Sequence, residues 1–98
     1  KAFFAINDPS ALGVVAAIKA TGKSGIGVYS IDASPAGKEA LVDGSFTAVA
    51  AQVPIMIAKT AFDRAVKLLN GETIEKEIFL PSHLVTLEEA KTTAGQWQ

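Results

Sequence analysis

Val28-Tyr29-Ser30-Ile31-Asp32-Ala33-Ser34-Pro35 is the stretch whose reading decides the fold. It begins as an apolar, β-favouring run and ends on a carboxylate, Asp32. Ser34 and Pro35 then open a helix, Ser as N-cap and Pro at the first helical position, where a missing N–H costs nothing. A carboxylate at that junction stands at the C-terminal end of a strand. In open α/β sheets that rim is where ligands bind.

Two other junctions repeat the design. Upstream, residues 2 to 6 read as a buried strand, stopped by Asn7-Asp8-Pro9-Ser10. Asp8 is the expected N-cap and Pro9 the first residue of a helix to about Thr21, closed by Gly22. Leu12, Val15, Ala16 and Lys19 follow helical spacing, Ala11, Val14 and Ile18 widen the apolar face, and Gly13 is expected to let the helix approach the sheet. The central unit runs Ile26 to Ile31 as strand and Pro35 to Val42 as helix. Downstream, a strand from Ser45 or Phe46 to Ala51 meets Gln52. Pro54 then opens a long helix to about Leu69, with Ile55, Ala58, Phe62, Ala65, Val66 and Leu69 along one face. Asn70-Gly71 ends it. A last strand is expected over about Lys76 to Leu80, with a short extended piece at Leu84-Val85-Thr86. The tail from Lys91 lacks periodicity and is expected to be loose or ordered by a partner. Strand–helix alternation with short loops implies an α/β fold: a parallel sheet joined by right-handed crossovers, with helices flanking it in three layers.

Composition narrows the function. Ninety-eight residues, nearly half of them apolar, fit one small domain. A net charge of −1 with no basic stripe argues against a nucleic-acid partner. The absence of cysteine excludes a disulfide framework and thiolate metal sites. No apolar run reaches the ~20 residues of a membrane helix. Lys1 runs straight into Ala2-Phe3-Phe4-Ala5-Ile6, without the n-region and cleavage site of a signal peptide. A fragment of a longer protein is the expectation.

Each of the first three strands ends in a residue able to grip hydroxyls: Asn7, Asp32 and Gln52, spaced 25 and 20 residues apart. Parallel strands set all three on one rim. A carboxylate offers about four acceptor sites, and each amide offers donors and an acceptor. That set suits a neutral polyol, whose hydroxyls both give and accept. It suits a phosphate poorly, since Asp32 would repel it and no Arg or Lys adjoins. Helix capping by Asn7 and Asp8, an Asx-turn at Asp32 and loop polarity at Gln52 are the structural alternatives. Catalytic chemistry has little to stand on. His83 is the only histidine and reads as a surface residue. No metal-ligand spacing exists, so neither a metal nor another cofactor is expected. Gly-x-Ser-x-Gly is absent, and Gly25-Ile26-Gly27 precedes a strand where a dinucleotide loop would follow one. The reading is a binding protein, not an enzyme.

Three segments then carry a resemblance. Phe4-Ala5-Ile6-Asn7-Asp8-Pro9-Ser10-Ala11-Leu12-Gly13, Tyr29-Ser30-Ile31-Asp32-Ala33-Ser34-Pro35-Ala36-Gly37 and Ala50-Ala51-Gln52-Val53-Pro54 resemble the C-terminal part of a periplasmic sugar-binding protein, the ribose- and galactose-type receptor of bacterial ABC importers. Leu68-Leu69-Asn70-Gly71-Glu72 and Leu84-Val85-Thr86 fit the same family's closing segments. The resemblance implies part of a type I periplasmic-binding-protein lobe, flavodoxin-like in layout. It implies that Asn7, Asp32 and Gln52 hydrogen-bond a monosaccharide or polyol and that Gln52 lies at a hinge crossing. Residues 1–52 would be βα units of the C-terminal lobe, 53–81 a helix and strand of the other lobe, and 82–98 a return segment and tail. It further implies a secreted parent, periplasmic or lipid-anchored outside the cell, working with a membrane permease. Ser30 and Ala33 stand where the family often has glycine. The alternatives are the sugar-sensing core of a LacI-type repressor, which usually carries a different third junction, and a small flavodoxin-like enzyme or signalling domain. Apolar surface left without partners leads to the expectation of a homo-oligomer.

Overall fold

A computed structural model describes residues 1–98. The chain runs β1 (Ala2–Phe4), α1 (Asp8–Ala20), β2 (Gly27–Asp32), α2 (Pro35–Val42), β3 (Ala48–Ala51), α3 (Pro54–Leu69), β4 (His83–Leu84) and α4 (Leu87–Thr92). The strands form one sheet in the order β1-β2-β3-β4. The first three are parallel, and β4 joins antiparallel through Ala50↔Leu84 and Ala51↔His83. Because β1, β2 and β3 are neighbours both in sequence and in space, two right-handed crossovers carry α1 and α2 to the same face. Ala5, Val28, Val49 and Ala51 point into that face and are buried among Ala11 and Val15 of α1, Ala40 of α2 and Ala90 of α4. The opposite face carries Phe4, Tyr29 and Leu84, 68%, 40% and 68% exposed.

Several expectations change in detail. The first strand is shorter and more exposed than its composition suggests. Phe3, Phe4 and Ile6 all lie open, and Ala5 alone of that run is buried. β1 is an edge strand, and the helices of this chain cover only one side of it. The α1 N-cap is Asn7, not Asp8: the Ser10 amide donates to Asn7 Oδ1 at 3.0 Å. The inward side of α1 is Ala11 and Val15, with Val14 and Ile18 packed beside them, while Leu12 faces out. Gly13 brings nothing close, for a Cβ there would meet no atom within 4 Å. Phe46 lies before β3 rather than in it, buried, with its amide donating to Ala40 O at 2.8 Å.

The C-terminal third departs most. Lys76–Leu80 forms no strand, because the run lies along α3 and pairs with none of the four strands of the sheet. It walls one side of a 540 Å³ groove whose other side is Ile57, Thr60, Ala61 and Arg64 of α3. Arg64 Nε and Glu75 Oε2, 3.5 Å apart, link the two. The extended piece expected near Leu84 is β4. The tail is not loose. Thr86 caps α4 by accepting from the Glu89 amide at 3.1 Å, and the residues after α4 are fastened to α2.

α3 is an arm. Its apolar stripe has the helical period expected, yet none of its residues is buried, and Phe62 and Leu69 are 70% and 87% exposed. The radius of gyration is 17.0 Å and the extents 60 × 25 × 16 Å. A compact chain of this length would have a radius of gyration of about 13 Å.

Candidate functional site

Register brings the rim together. Asp32 pairs with Ala51 across β2 and β3, so Gln52 follows one residue beyond Asp32's level. Its side chain reaches back, and Gln52 Nε2 donates to Asp32 Oδ1 at 2.9 Å. β1 pairs Phe4 with Tyr29, and continuing that register along both chains brings Asn7 level with Asp32. The three residues thus share one end of the sheet, and two of them are in direct contact. Asn7 Oδ1 is committed to capping α1, which leaves its Nδ2 group as the donor facing outward chemistry. Asp32 keeps Oδ2 and Gln52 keeps Oε1 as acceptors. The rim therefore offers both donors and acceptors to a hydroxylated ligand.

The backbone beneath this rim is held in uncommon conformations. Asp32 and Ala33 have φ of 120° and 52°, and Val53, directly after Gln52, has φ of 48°. Non-glycine residues there cost about 1–3 kcal/mol each and persist only where the surroundings hold them. Val53 stands at the N-cap position of α3 and, having no polar side chain, leaves the helix without a side-chain cap.

Asp8 is one of the groups doing the holding. It is 1% exposed, and its carboxylate spans three elements. Oδ1 accepts from Ser30 Oγ at 2.6 Å. Oδ2 accepts from the Ser34 amide at 2.8 Å and from Ser34 Oγ at 2.6 Å. Ser34 in turn caps α2, accepting from the Gly37 amide at 3.1 Å. Ser30, where the resemblance leads one to expect glycine, thus serves the carboxylate that clamps the Asp32–Ser34 turn. Gly37 must lack a side chain, because a Cβ there would overlap the Asp8 carboxylate.

Sequence reasoning assigned Asp8 to capping and passed over Lys38 altogether. Lys38 is fully buried on α2, and desolvation holds its ammonium below the usual lysine range, against a smaller opposing pull from Glu89. His83, on β4 beside Ala51, has its ring Nε2 2.9 Å from Glu89 Oε1 and is exposed, as expected of a surface residue. No cluster of His, Cys, Asp or Glu able to hold a metal occurs.

Residues 1–73 match the family model described as a periplasmic binding protein domain. The chain belongs to that family. It is 39% identical over 75 residues to the ribose import binding protein RbsB of Escherichia coli, covering 76% of this chain and 25% of that protein. A solute binding protein of Bacillus halodurans with bound myo-inositol matches at a TM-score of 0.85 and 35% identity, covering 94% of this chain and 32% of the other. One from Actinobacillus succinogenes with bound D-allose matches at a TM-score of 0.86 and 27% identity, over 93% and 32% respectively. The chain spans between a quarter and a third of the length of these relatives. Its mostly parallel sheet and flanking helices are those of a type I periplasmic-binding-protein lobe.

Proposed function

We propose that this chain is part of the extracytoplasmic solute-binding component of an ABC sugar importer, and that Asn7, Asp32 and Gln52 bind a monosaccharide or polyol. The observation that carries the reading is the Gln52–Asp32 hydrogen bond, 2.9 Å long, on a strained rim level with Asn7. An amide and a carboxylate already paired hold their remaining acceptors in fixed directions, which favours hydroxyl recognition. The role is binding rather than catalysis. The family's relatives are transport receptors for ribose, and solved members hold allose and inositol. That supports a sugar as partner, with a membrane permease as the acceptor of the loaded receptor.

The projecting α3 supports the division into residues 1–52 in one lobe, 53–81 in the other and 82–98 as return segment. An amphipathic helix that buries nothing on its own sheet keeps its apolar stripe free for another lobe of the full-length receptor. Gln52 and left-handed Val53 then stand at the crossing between lobes. The parent is extracytoplasmic, either free in the periplasm or lipid-anchored at the surface.

Substituting Asp32→Ala in the full-length receptor tests the reading. Charge-assisted hydrogen bonds are worth roughly 1.5–3 kcal/mol each, so the loss is expected to weaken binding by about a hundredfold. Calorimetry is run against D-ribose, D-allose and myo-inositol. Lys76→Ala, on the loop beside α3, is the control and leaves affinity unchanged. Unaltered affinity in Asp32→Ala refutes the assignment.

A further inference from the structure

Lys38 and the tail form a connection that capping, packing and sugar contact leave unexplained. All the acceptors of the buried ammonium come from the chain's last residues. Lys38 Nζ donates to Thr93 Oγ1 at 2.9 Å, Thr93 O at 3.3 Å and Gln96 O at 2.7 Å. With the Gln98 amide turned so that its oxygen meets a donor, that oxygen accepts from Lys38 Nζ at 2.7 Å and its nitrogen donates to Ala33 O at 3.3 Å. The backbone oxygen of Gln98 accepts from the Ile55 amide at 3.0 Å, one of the donors that the first turn of a helix leaves unpaired. One terminal residue therefore touches both unusual junctions. Ala33 is the left-handed residue after Asp32, and Ile55 is two residues beyond left-handed Val53.

We infer that Lys38 is a positioning residue for the rim: by fixing the C-terminal tail, it holds the two left-handed junctions that set Asp32 and Gln52 against each other. Its importance for ligand binding rests on the sugar-site reading above; its effect on the Asp32–Gln52 pair does not. The physical reason is that strained backbone relaxes unless its surroundings over-determine it. Three backbone oxygens of the tail and two polar side chains converge on α2 and the α3 start. A buried ammonium stripped of those acceptors would be strongly unfavourable, so the tail and Lys38 order each other. Burial lowers the Lys38 pKa, so the tail's oxygens replace only part of the hydration that the ammonium gives up.

The test uses the 98-residue chain and the side-chain amide resonances of Gln52 in 15N-resolved NMR, with Asp32→Ala as the reference for an unpaired Gln52. Two variants are compared: Lys38→Met, which keeps the stem and removes the charge, and deletion of residues 96–98, which leaves Lys38 itself untouched. Both are expected to move the Gln52 signal most of the way to its position in Asp32→Ala. The Ile55 amide is expected to exchange at least about tenfold faster, while Val28 and Val49 keep their protection. If Lys38→Met unfolds, seen as lost protection at Val28 and Val49, the deletion alone decides. An unmoved Gln52 signal in the deletion variant overturns the inference, even if Ile55 exchange accelerates, because the tail then fastens α3 without setting the rim. The readout needs no sugar, so failure here is distinct from failure of Asp32→Ala to weaken binding in the receptor.

Discussion

Substituting Gly37→Ala is expected to change sign with the residue at position 8. In the native chain the new Cβ would overlap the Asp8 carboxylate, forcing that group off its partners. Those partners are Ser30 Oγ, the Ser34 amide and Ser34 Oγ, at 2.6, 2.8 and 2.6 Å. Hydrogen bonds to a charged group contribute roughly 1.5–3 kcal/mol each, but hydroxyls can re-aim, and removing the carboxylate also removes the cost of burying it. A net loss of about 3 kcal/mol is expected for Asp8→Ala, a large part of the ~5–15 kcal/mol that holds a domain together. Gly37→Ala alone is expected to cost about 1–3 kcal/mol by overpacking. With Asp8→Ala already present, the space is free, and alanine gains up to about 1 kcal/mol of helix propensity over glycine inside α2. The double variant is then more stable than Asp8→Ala alone. Urea unfolding monitored by circular dichroism measures all four corners of the cycle, and with a slope of ~1–3 kcal/mol/M the midpoint shifts by about 1–3 M for Asp8→Ala and about 0.3–3 M for Gly37→Ala. Gly13→Ala, in open space on α1, is the control and is expected to stabilise by up to about 1 kcal/mol. If Gly37→Ala destabilises equally in both backgrounds, the packing of Gly37 on Asp8 is not what makes glycine necessary.

Other expectations follow from the same geometry. Affinity of the full-length receptor for a neutral sugar is expected to vary little with salt, and a sugar phosphate is expected to bind worse than its parent, because Asp32 repels it; steep salt dependence or preference for the phosphate contradicts this. The folded-state pKa of Lys38 lies below its ordinary value of 10.5, so the unfolded chain binds more protons between the two values. Stability relative to Lys38→Met therefore rises with pH through that window, Glu89 being the opposing charge, and parallel melts of the two proteins that keep a constant gap contradict it. The 98-residue chain alone is expected to form a homo-oligomer through the exposed stripe of α3 and the bare sheet face around Phe4 and Tyr29, which sedimentation reads directly. It is also expected to bind little sugar, since the contacts it retains cannot offset an association cost of ~4–15 kcal/mol; a monomer with micromolar ribose affinity contradicts both expectations.

Local chemistry sufficed for much of this protein. Ser34-Pro35 and Asn70-Gly71 bound their helices because capping and backbone freedom are properties of one or two residues. The alternation of strands and helices fixed parallel pairing, and with it the common rim of Asn7, Asp32 and Gln52, because crossover handedness leaves few topologies. Tertiary structure decided whatever depended on distant partners. Asn7 and Asp8 are adjacent and both able to cap; only the arrival of Ser30 and Ser34 draws Asp8 inward and leaves the cap to Asn7. The run Lys76–Leu80 has strand composition, but pairing needs a partner strand, and in the fold the run lies along α3 instead. α3 has the stripe of a core helix and no core beneath it, since periodicity records that a face is apolar and not what covers it. Lys38 reads in sequence like any surface lysine; its burial became visible only when the tail, more than fifty residues on, folded back with oxygens for all its protons.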